Sequence, residues 1–275
     1  MTKLTWLPKK TFELEFSIPW EKVKKTYDKV LNQLAKEVKL EGFRQGKAPK
    51  ALVEKSIDKG KLYGEVINQL LPLSYAASVA EHKLHPAIAP KITIISAEEN
   101  KPWKFKAASC ELPEIKLGNY EGIAQSALVK SKLEAKDLTE TQKLNRIFQA
   151  LIKDIKFELS DLLIEAERDR LLSRLLEEIQ KLGLTIEKYA SSNNKSVAEI
   201  KAEYELTAAN TLKIELILQA IANDKKLQVK DKEIDEMINA AGDEKLKQRL
   251  KSPSERAYIA SVLRKRQVID YLLKL

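Results

Sequence analysis

The chain has 275 residues, with 49 Lys and Arg against 40 Asp and Glu and a formal net charge of +9. Its single cysteine, Cys110, excludes an internal disulfide, and no run approaches the ~18 consecutive apolar residues of a membrane-spanning helix. Hydrophobic residues make up 44%, enough for a buried core, and the dominance of Leu, Lys, Glu, Ala and Ile over only eight glycines favours helix.

The start, "MTKLTWLPKKTFELEF", lacks the apolar h-region of a signal peptide. With one cysteine and no membrane-length segment, the expectation is a cytoplasmic protein that does not enter a membrane. The charge is uneven. Residues 1–120 carry 21 Lys and Arg against 14 Asp and Glu, whereas residues 121–275 carry 28 against 26. An anionic partner is therefore expected at the first part of the chain, with RNA the leading candidate and a solvated lysine-rich surface the plainer reading.

Thr11–Ile18 alternates strictly, with Phe12, Leu14, Phe16 and Ile18 on one face and Thr11, Glu13, Glu15 and Ser17 on the other, which reads as a half-buried strand. Pro19 then opens a helix, at a position where a missing N–H costs nothing. Val23, Tyr27, Val30, Leu31, Leu34 and Val38 recur at three- and four-residue steps and carry that helix to about Leu40. The run "EGFRQGKAP" (41–49) follows. Gly-x-x-x-Gly-Lys invites comparison with a phosphate-binding loop, but the glycines stand one residue too close, Ala48 replaces the magnesium-binding hydroxyl, and a helix precedes it instead of a strand.

Pro49 starts a short helix, and a longer one follows from about Lys61 with Leu62, Val66, Leu70, Leu73 and Ala77 facing inward. "LHPAIAP" (84–90) is held extended by its prolines. Two strands, Lys91–Ser96 and Trp103–Leu112, are joined by the polar turn "AEENKP". The first part thus reads as an α+β domain, a small antiparallel sheet with helices.

From about Gly122 the strand signal disappears. Apolar-periodic runs cover roughly 137–155, 160–182, 197–222, 231–250 and 254–274, with capping-box spacing at "SVAE" (196–199) and "SPSE" (252–255). An internal repeat aligns residues 148–167 with 218–237 at an offset of 70, with identities at Gln149/Gln219, Ala150/Ala220, Asp154/Asp224, Lys156/Lys226, Asp161/Asp231 and Ile164/Ile234. Each copy reads as a helix end, a short extended link and a new helix capped by Asp. Two copies are too few for a solenoid and fit two related units in one all-α domain.

No catalytic constellation emerges. His82 and His85 are the only histidines, lack further ligands and precede Pro86, so they read as the end of a helix rather than a metal site. Cys110 lies in an apolar-alternating strand and reads as a small buried hydrophobe. No cofactor is expected.

"GFRQGKAP" (42–49) resembles the ribosome-binding signature of the bacterial trigger factor family, chaperones that meet nascent chains at the exit tunnel. "LHPAIAP" is similar to that family's connection after its long helix, and "CELPEIKLGNYEGI" (110–123) to the run that leaves its ribosome-binding domain. The resemblance implies an α+β ribosome-binding domain over 1–121 and a helical chaperone domain over 148–275. It implies docking through Gly42, Phe43, Arg44, Gln45, Gly46, Lys47 and Pro49. Phe43 would be the apolar anchor, Arg44 the partner for a carboxylate or phosphate, Gly42 and Gly46 the turn residues, and Pro49 the start of the next helix. Gln45 departs from the Lys or Pro common there. The implied partners are the large ribosomal subunit, through its exit-tunnel protein and ribosomal RNA, and nascent or unfolded polypeptides held without ATP; a homodimer is left open.

The family's peptidyl-prolyl isomerase domain has no counterpart in this reading. Residues 122–147 are a linker in its place, read as one charged helix through "KLEAKDLTETQKLNRIF", so no enzymatic activity is expected. A ribosome-independent holdase or assembly chaperone is the alternative. A plain RNA-binding module is a third reading, without the aromatic-rich sheet such modules use.

Overall fold

The computed structural model describes residues 2–37, 41, 43, 44, 46, 49–134 and 138–275. It divides into two compact units. The first comprises 1–112 together with 160–163, and the second comprises 113–159 and 164–275.

The first unit is built on a four-stranded antiparallel sheet of β1 (Lys3–Leu7), β2 (Thr11–Ile18), β3 (Lys91–Ser96) and β4 (Trp103–Cys110), in the order β1-β2-β4-β3. The alternation in β2 is realised residue for residue, with Phe12, Leu14, Phe16 and Ile18 all 3% exposed or less. They face the same side as Trp103, Phe105 and Ala107 of β4, and Phe16 lies directly opposite Phe105 in the register. That face is covered by α1 (Trp20–Glu37), α2 (Lys50–Ser56) and α3 (Lys59–Glu81), which contribute Val23, Val30, Leu31, Val53, Leu62 and Val66 to one core.

Strand β1 is the element the sequence pattern does not reveal. Four of its five residues are exposed; Leu4 alone packs partly on the core, and the strand is held by its ladder to β2, from Lys3↔Glu15 to Leu7↔Thr11. The connecting turn places Lys9 and Lys10 at φ of 59° and 55°, left-handed positions that cost a side-chain-bearing residue ~1–2 kcal/mol each. At the opposite edge, a register shift between Ile94 and Ser96 leaves both Ile94 and Ile95 exposed.

The inward face of α3 differs from the expectation beyond Leu70. Leu73 is 72% exposed and Ala77 is also exposed, while Leu71, Tyr75, Ser78 and Val79 turn inward. The inward row keeps advancing by four residues, through 62, 66, 70, 74 and 78, where the apolar pattern equally allowed a step of three to Leu73. The buried Ser78 hydroxyl is satisfied by donating to the Ser74 carbonyl at 2.8 Å. Histidine 82 caps this helix, and its Nε2 lies 3.0 Å from the Thr2 hydroxyl. Cys110 is fully buried, and burial pushes its thiol pKa up.

From residue 120 onward the regular elements among the described residues are helices: α4 (Tyr120–Glu134), α5 (Glu140–Asp154), α6 (Asp161–Lys181), α7 (Ile186–Ser192), α8 (Val197–Asp224), α9 (Asp231–Asn239), α10 (Glu244–Leu250) and α11 (Pro253–Leu273). The expected single charged helix through 132–148 is not continuous among the described residues: α4 ends at Glu134, and Leu138 and Thr139 are not helical. Thr139 and Gln142 form a reciprocal capping box that starts α5 afresh, and Asn119 opens α4 inside the "CELPEIKLGNYEGI" run by accepting from the Gly122 N–H at 3.0 Å. The 231–250 run is likewise two helices, and α7 lies where no helix was expected. Ser196 and Glu199 make the expected capping box, with the Ser196 N–H donating to Glu199 Oε2 at 2.7 Å.

The repeat is structural. Helices α5 and α8 end at Asp154 and Asp224, and α6 and α9 begin seven residues later at Asp161 and Asp231. Leu151 of the first copy with Ile147 just before it, and their counterparts Ile221 and Ile217, are all fully buried in one cluster. The aspartates are not caps, however. They occupy the first helical position, where negative charge meets the positive end of the helix dipole.

Candidate functional site

The segment between α1 and α2 carries the residues singled out as a docking loop. Of these, Phe43, Arg44, Gly46 and Pro49 are described, while Gly42, Gln45 and Lys47 lie outside the described residues, as does the expected helix end at Leu40. Phe43 is 40% exposed and Arg44 is exposed beside it. An exposed aromatic next to a guanidinium combines apolar area with planar, bidentate hydrogen bonding, the pairing enriched at protein interfaces.

The flanking geometry holds this pair outward. Gly46 adopts φ +76°, and a Cβ there would lie 3.2 Å from the Lys36 carbonyl oxygen, so the chain folds back against the last turn of α1 where a side chain would be strained and crowded. Pro49 then caps α2 at φ −58°, its carbonyl accepting from the N–H groups of Leu52 and Val53 at 2.9 and 3.1 Å. Val53 is fully buried and anchors α2 in the core, while Leu52 on the same turn is 45% exposed. That exposed leucine carried no sequence signal, because apolar residues of core and surface look alike.

A second tie was also invisible in the sequence. The Tyr27 hydroxyl of α1 donates to Glu54 Oε1 of α2 at 2.6 Å. The ring of Tyr27 lies 5.5 Å from that of Tyr63 in α3, whose hydroxyl donates to Glu99 at 2.5 Å. Burial and the Glu54 bond push the Tyr27 phenol well above its usual range, and burial and Glu99 push Tyr63 up to about 12. Both therefore stay protonated donors at neutral pH. The arrangement displays the exposed Phe43 and Arg44 beside helices tied to one another and to the core. Among the described residues no group of three or more His, Cys, Asp or Glu is placed to hold a metal ion, and no helix is long and apolar enough to cross a membrane.

Comparison with known proteins bears on the whole chain. The family model described as "Bacterial trigger factor protein (TF)" matches residues 2–147, and that described as "Bacterial trigger factor protein (TF) C-terminus" matches residues 127–274. A trigger factor from Streptococcus suis is 34% identical over 145 residues, covering 51% of this chain and 34% of the relative. One from Lactobacillus gasseri is 39% identical over 111 residues, 40% of this chain and 25% of the relative. The matched part of the chain thus spans about a third or less of these curated relatives. In a solved structure from work on "Promiscuous Substrate Recognition in Folding and Assembly Activities of the Trigger Factor Chaperone", the likeness covers 100% of this chain and 99% of the other. The TM-score is 0.65 and the identity 13%, a likeness of fold.

Proposed function

From a chain that belongs to the bacterial trigger factor family, we propose a chaperone that docks on the large ribosomal subunit beside the exit tunnel and holds emerging polypeptides in the cytoplasm without ATP. The observation that carries this reading is the exposed Phe43–Arg44 pair on a loop closed by Gly46 against α1. Phe43 would insert into an apolar recess of the exit-tunnel protein, and Arg44 would bridge to a carboxylate or phosphate. Gly42, Gln45, Lys47 and Pro49 complete the proposed loop, with Gln45 standing where the motif commonly has Lys or Pro and so lacking the charge a Lys would bring.

The second unit would supply the holding surface. Leu182, Leu206, Met237 and Tyr258 are 74%, 65%, 45% and 66% exposed, a dispersed set of apolar side chains suited to transient contact with unfolded segments. The solved trigger factor of like fold comes from work on promiscuous substrate recognition, and dispersed apolar contacts are the physical form such recognition takes. The same side chains favour the second reading, a holdase that works away from the ribosome. Neither reading assigns the chain prolyl isomerisation, and a proline-peptide isomerase assay is expected to stay at the uncatalysed rate.

Co-sedimentation with large ribosomal subunits separates the two. Phe43→Ala with Arg44→Ala is expected to lower the pelleted fraction by roughly 30-fold in affinity or more, the scale of a lost interface anchor. Aggregation suppression by the variant should be unchanged. Pelleting that survives the double substitution overturns the docking loop, and aggregation suppression with no pelleting of the native chain selects the ribosome-independent holdase.

A further inference from the structure

Helix α1 presents a second feature that the loop does not use. Lys22, Lys25, Lys29 and Lys36 are all exposed. At 100° per residue they fall within an arc of about 60° on one face. The buried residues of the helix, Val23, Val30 and Leu31, point the other way into the core. The four ammonium groups therefore form a line about 21 Å long, at 1.5 Å rise per residue, ending where the 41–49 segment begins. Among the described residues none of the four is in an ion pair. Asn32 and Gln33 fill the gap between Lys29 and Lys36, and with Lys25, Lys29 and Lys36 they line a shallow depression in which Asp28 is the one carboxylate.

We propose that this lysine line is a binding surface for the phosphodiester backbone of RNA, continuing the contact made by the docking loop and compensating for the charge absent at Gln45. The inference rests on the ribosome-docking reading for the identity of its partner. The chemistry comes from the helix itself. A line of unpaired cations spaced about 5–10 Å along one axis, with amide donors between them, matches a string of phosphates. A folded protein partner would call for an apolar centre to the contact, and a bilayer would call for an apolar helix face. The outward face of α1 has neither, since its apolar stripe is already spent in the core.

The test uses the full chain and a labelled RNA duplex, with binding followed by fluorescence anisotropy as salt rises from about 50 to about 200 mM, the range over which counterion release dominates. Replacing Lys22, Lys25, Lys29 and Lys36 together by Gln, a helix-compatible neutral residue, is expected to lower the log–log salt slope by about 3. That makes the loss of affinity over this range about 60-fold smaller than in the native chain. The matching fourfold Arg variant should keep the native slope, and unchanged helical circular dichroism in both shows that the fold is intact. Phe43→Ala with Arg44→Ala should change this slope by no more than about 1, one phosphate contact. A slope unaltered in the Gln variant overturns the lysine line whatever the ribosome result, and poly-glutamate competing as well as RNA overturns the choice of occupant. Loss of the slope in the Gln variant alongside ribosome pelleting that ignores Phe43 and Arg44 leaves the lysine line standing and removes the docking loop.

Discussion

The two units bury apolar surface in different ways. In the first, rings join the sheet to its helices: Trp20 meets Trp103 at 6.4 Å, Tyr63 meets Trp103 at 5.5 Å, Trp103 meets Phe105 at 6.5 Å, and Phe105 stacks on Phe16 at 5.8 Å. One continuous core results. The second unit relies on aliphatic clusters at separate helix junctions. Ile147, Leu151, Ile217, Ile221, Val268 and Leu272 gather α5, α8 and α11; Leu175, Ile179, Ala190 and Ile200 gather α6, α7 and α8; Ile234, Ile238 and Ile259 gather α9 and α11. A single interlocked core suits the scaffold of the proposed docking loop. Separate junctions suit the proposed holding surface, because a local junction can open at a free energy below that of global unfolding.

The sharpest way to break that contrast is to remove one side chain from each kind of core. Phe105→Ala is expected to cost ~3–5 kcal/mol, because it deletes a fully buried ring that touches two others. Amide hydrogen exchange should rise across all four strands together. Ile238→Ala is expected to cost ~2–5 kcal/mol locally, raising exchange in α9 and α11 while the α4–α5 hairpin stays protected. Equal deprotection of residues 120–154 in the Ile238 variant would show the second unit to be as cooperative as the first, and the contrast would be lost.

A smaller effect is expected at a junction that the second unit closes with charge. Arg264 donates from Nε to the Leu227 carbonyl at 2.9 Å and from a terminal nitrogen to the Ala222 carbonyl at 3.1 Å, satisfying carbonyls at the end of α8. Lys225 adds to this corner by lying over the ring of Tyr271 at 4.9 Å and pairing with Glu121. Arg264→Ala is expected to destabilise the second unit by ~1.5–3 kcal/mol, the range for hydrogen bonds to a charged group. Arg264→Lys should recover little, since one ammonium cannot span two carbonyls as a planar fork does. Thermal melts of the two variants check this, and a full rescue by Lys would assign the effect to charge alone.

The same contrast governs what the sequence reveals. Strand β2 is legible because one face is buried and the other solvated, so composition alternates with period two. Its neighbour β1 half-buries Leu4 alone, and so short and exposed a strand leaves hydrophobicity little to mark. The longer helices of the second unit are legible nearly in place from periodicity and caps, but not their number, since α7 carries no marked run and 231–250 holds two helices. The break between α4 and α5 was missed because charge runs through it without interruption, although the Thr139–Gln142 capping spacing stands in the sequence. Of the loop, the residue types at 42–49 are readable as a resemblance. The approach of Gly46 to Lys36 and the Tyr27–Glu54 bond are not, because each joins residues ten or more apart whose meeting depends on the folded backbone.

The finest comparison between the units is their response to alkali. Tyr27 and Tyr63 tie the helices of the first unit, and Tyr120 ties α4 of the second by donating to Asp224 at 2.9 Å. Burial first and the carboxylate partner second raise all three phenols, Tyr63 and Tyr120 to about 12. A phenol with a folded pKa above its unfolded value of about 10 is more readily ionised in the unfolded chain. Its stabilising contribution is therefore complete below pH ~10 and is lost as the pH rises toward 12. Burial also raises Tyr75 in the first unit and Tyr204 in the second, and three such groups against two imply that the first unit's stability falls more steeply across that window. Tyr63→Phe should flatten the fall, lowering stability slightly at neutral pH, where the bond to Glu99 is gone, while narrowing the gap to the native protein above pH ~10. The checks are melting temperature against pH and the tyrosinate absorbance titration, in which one late-ionising group should vanish. A melting profile that keeps its native slope above pH ~10 in the Phe variant would place the alkaline sensitivity elsewhere, with Tyr27 and its bond to Glu54 the next group to replace.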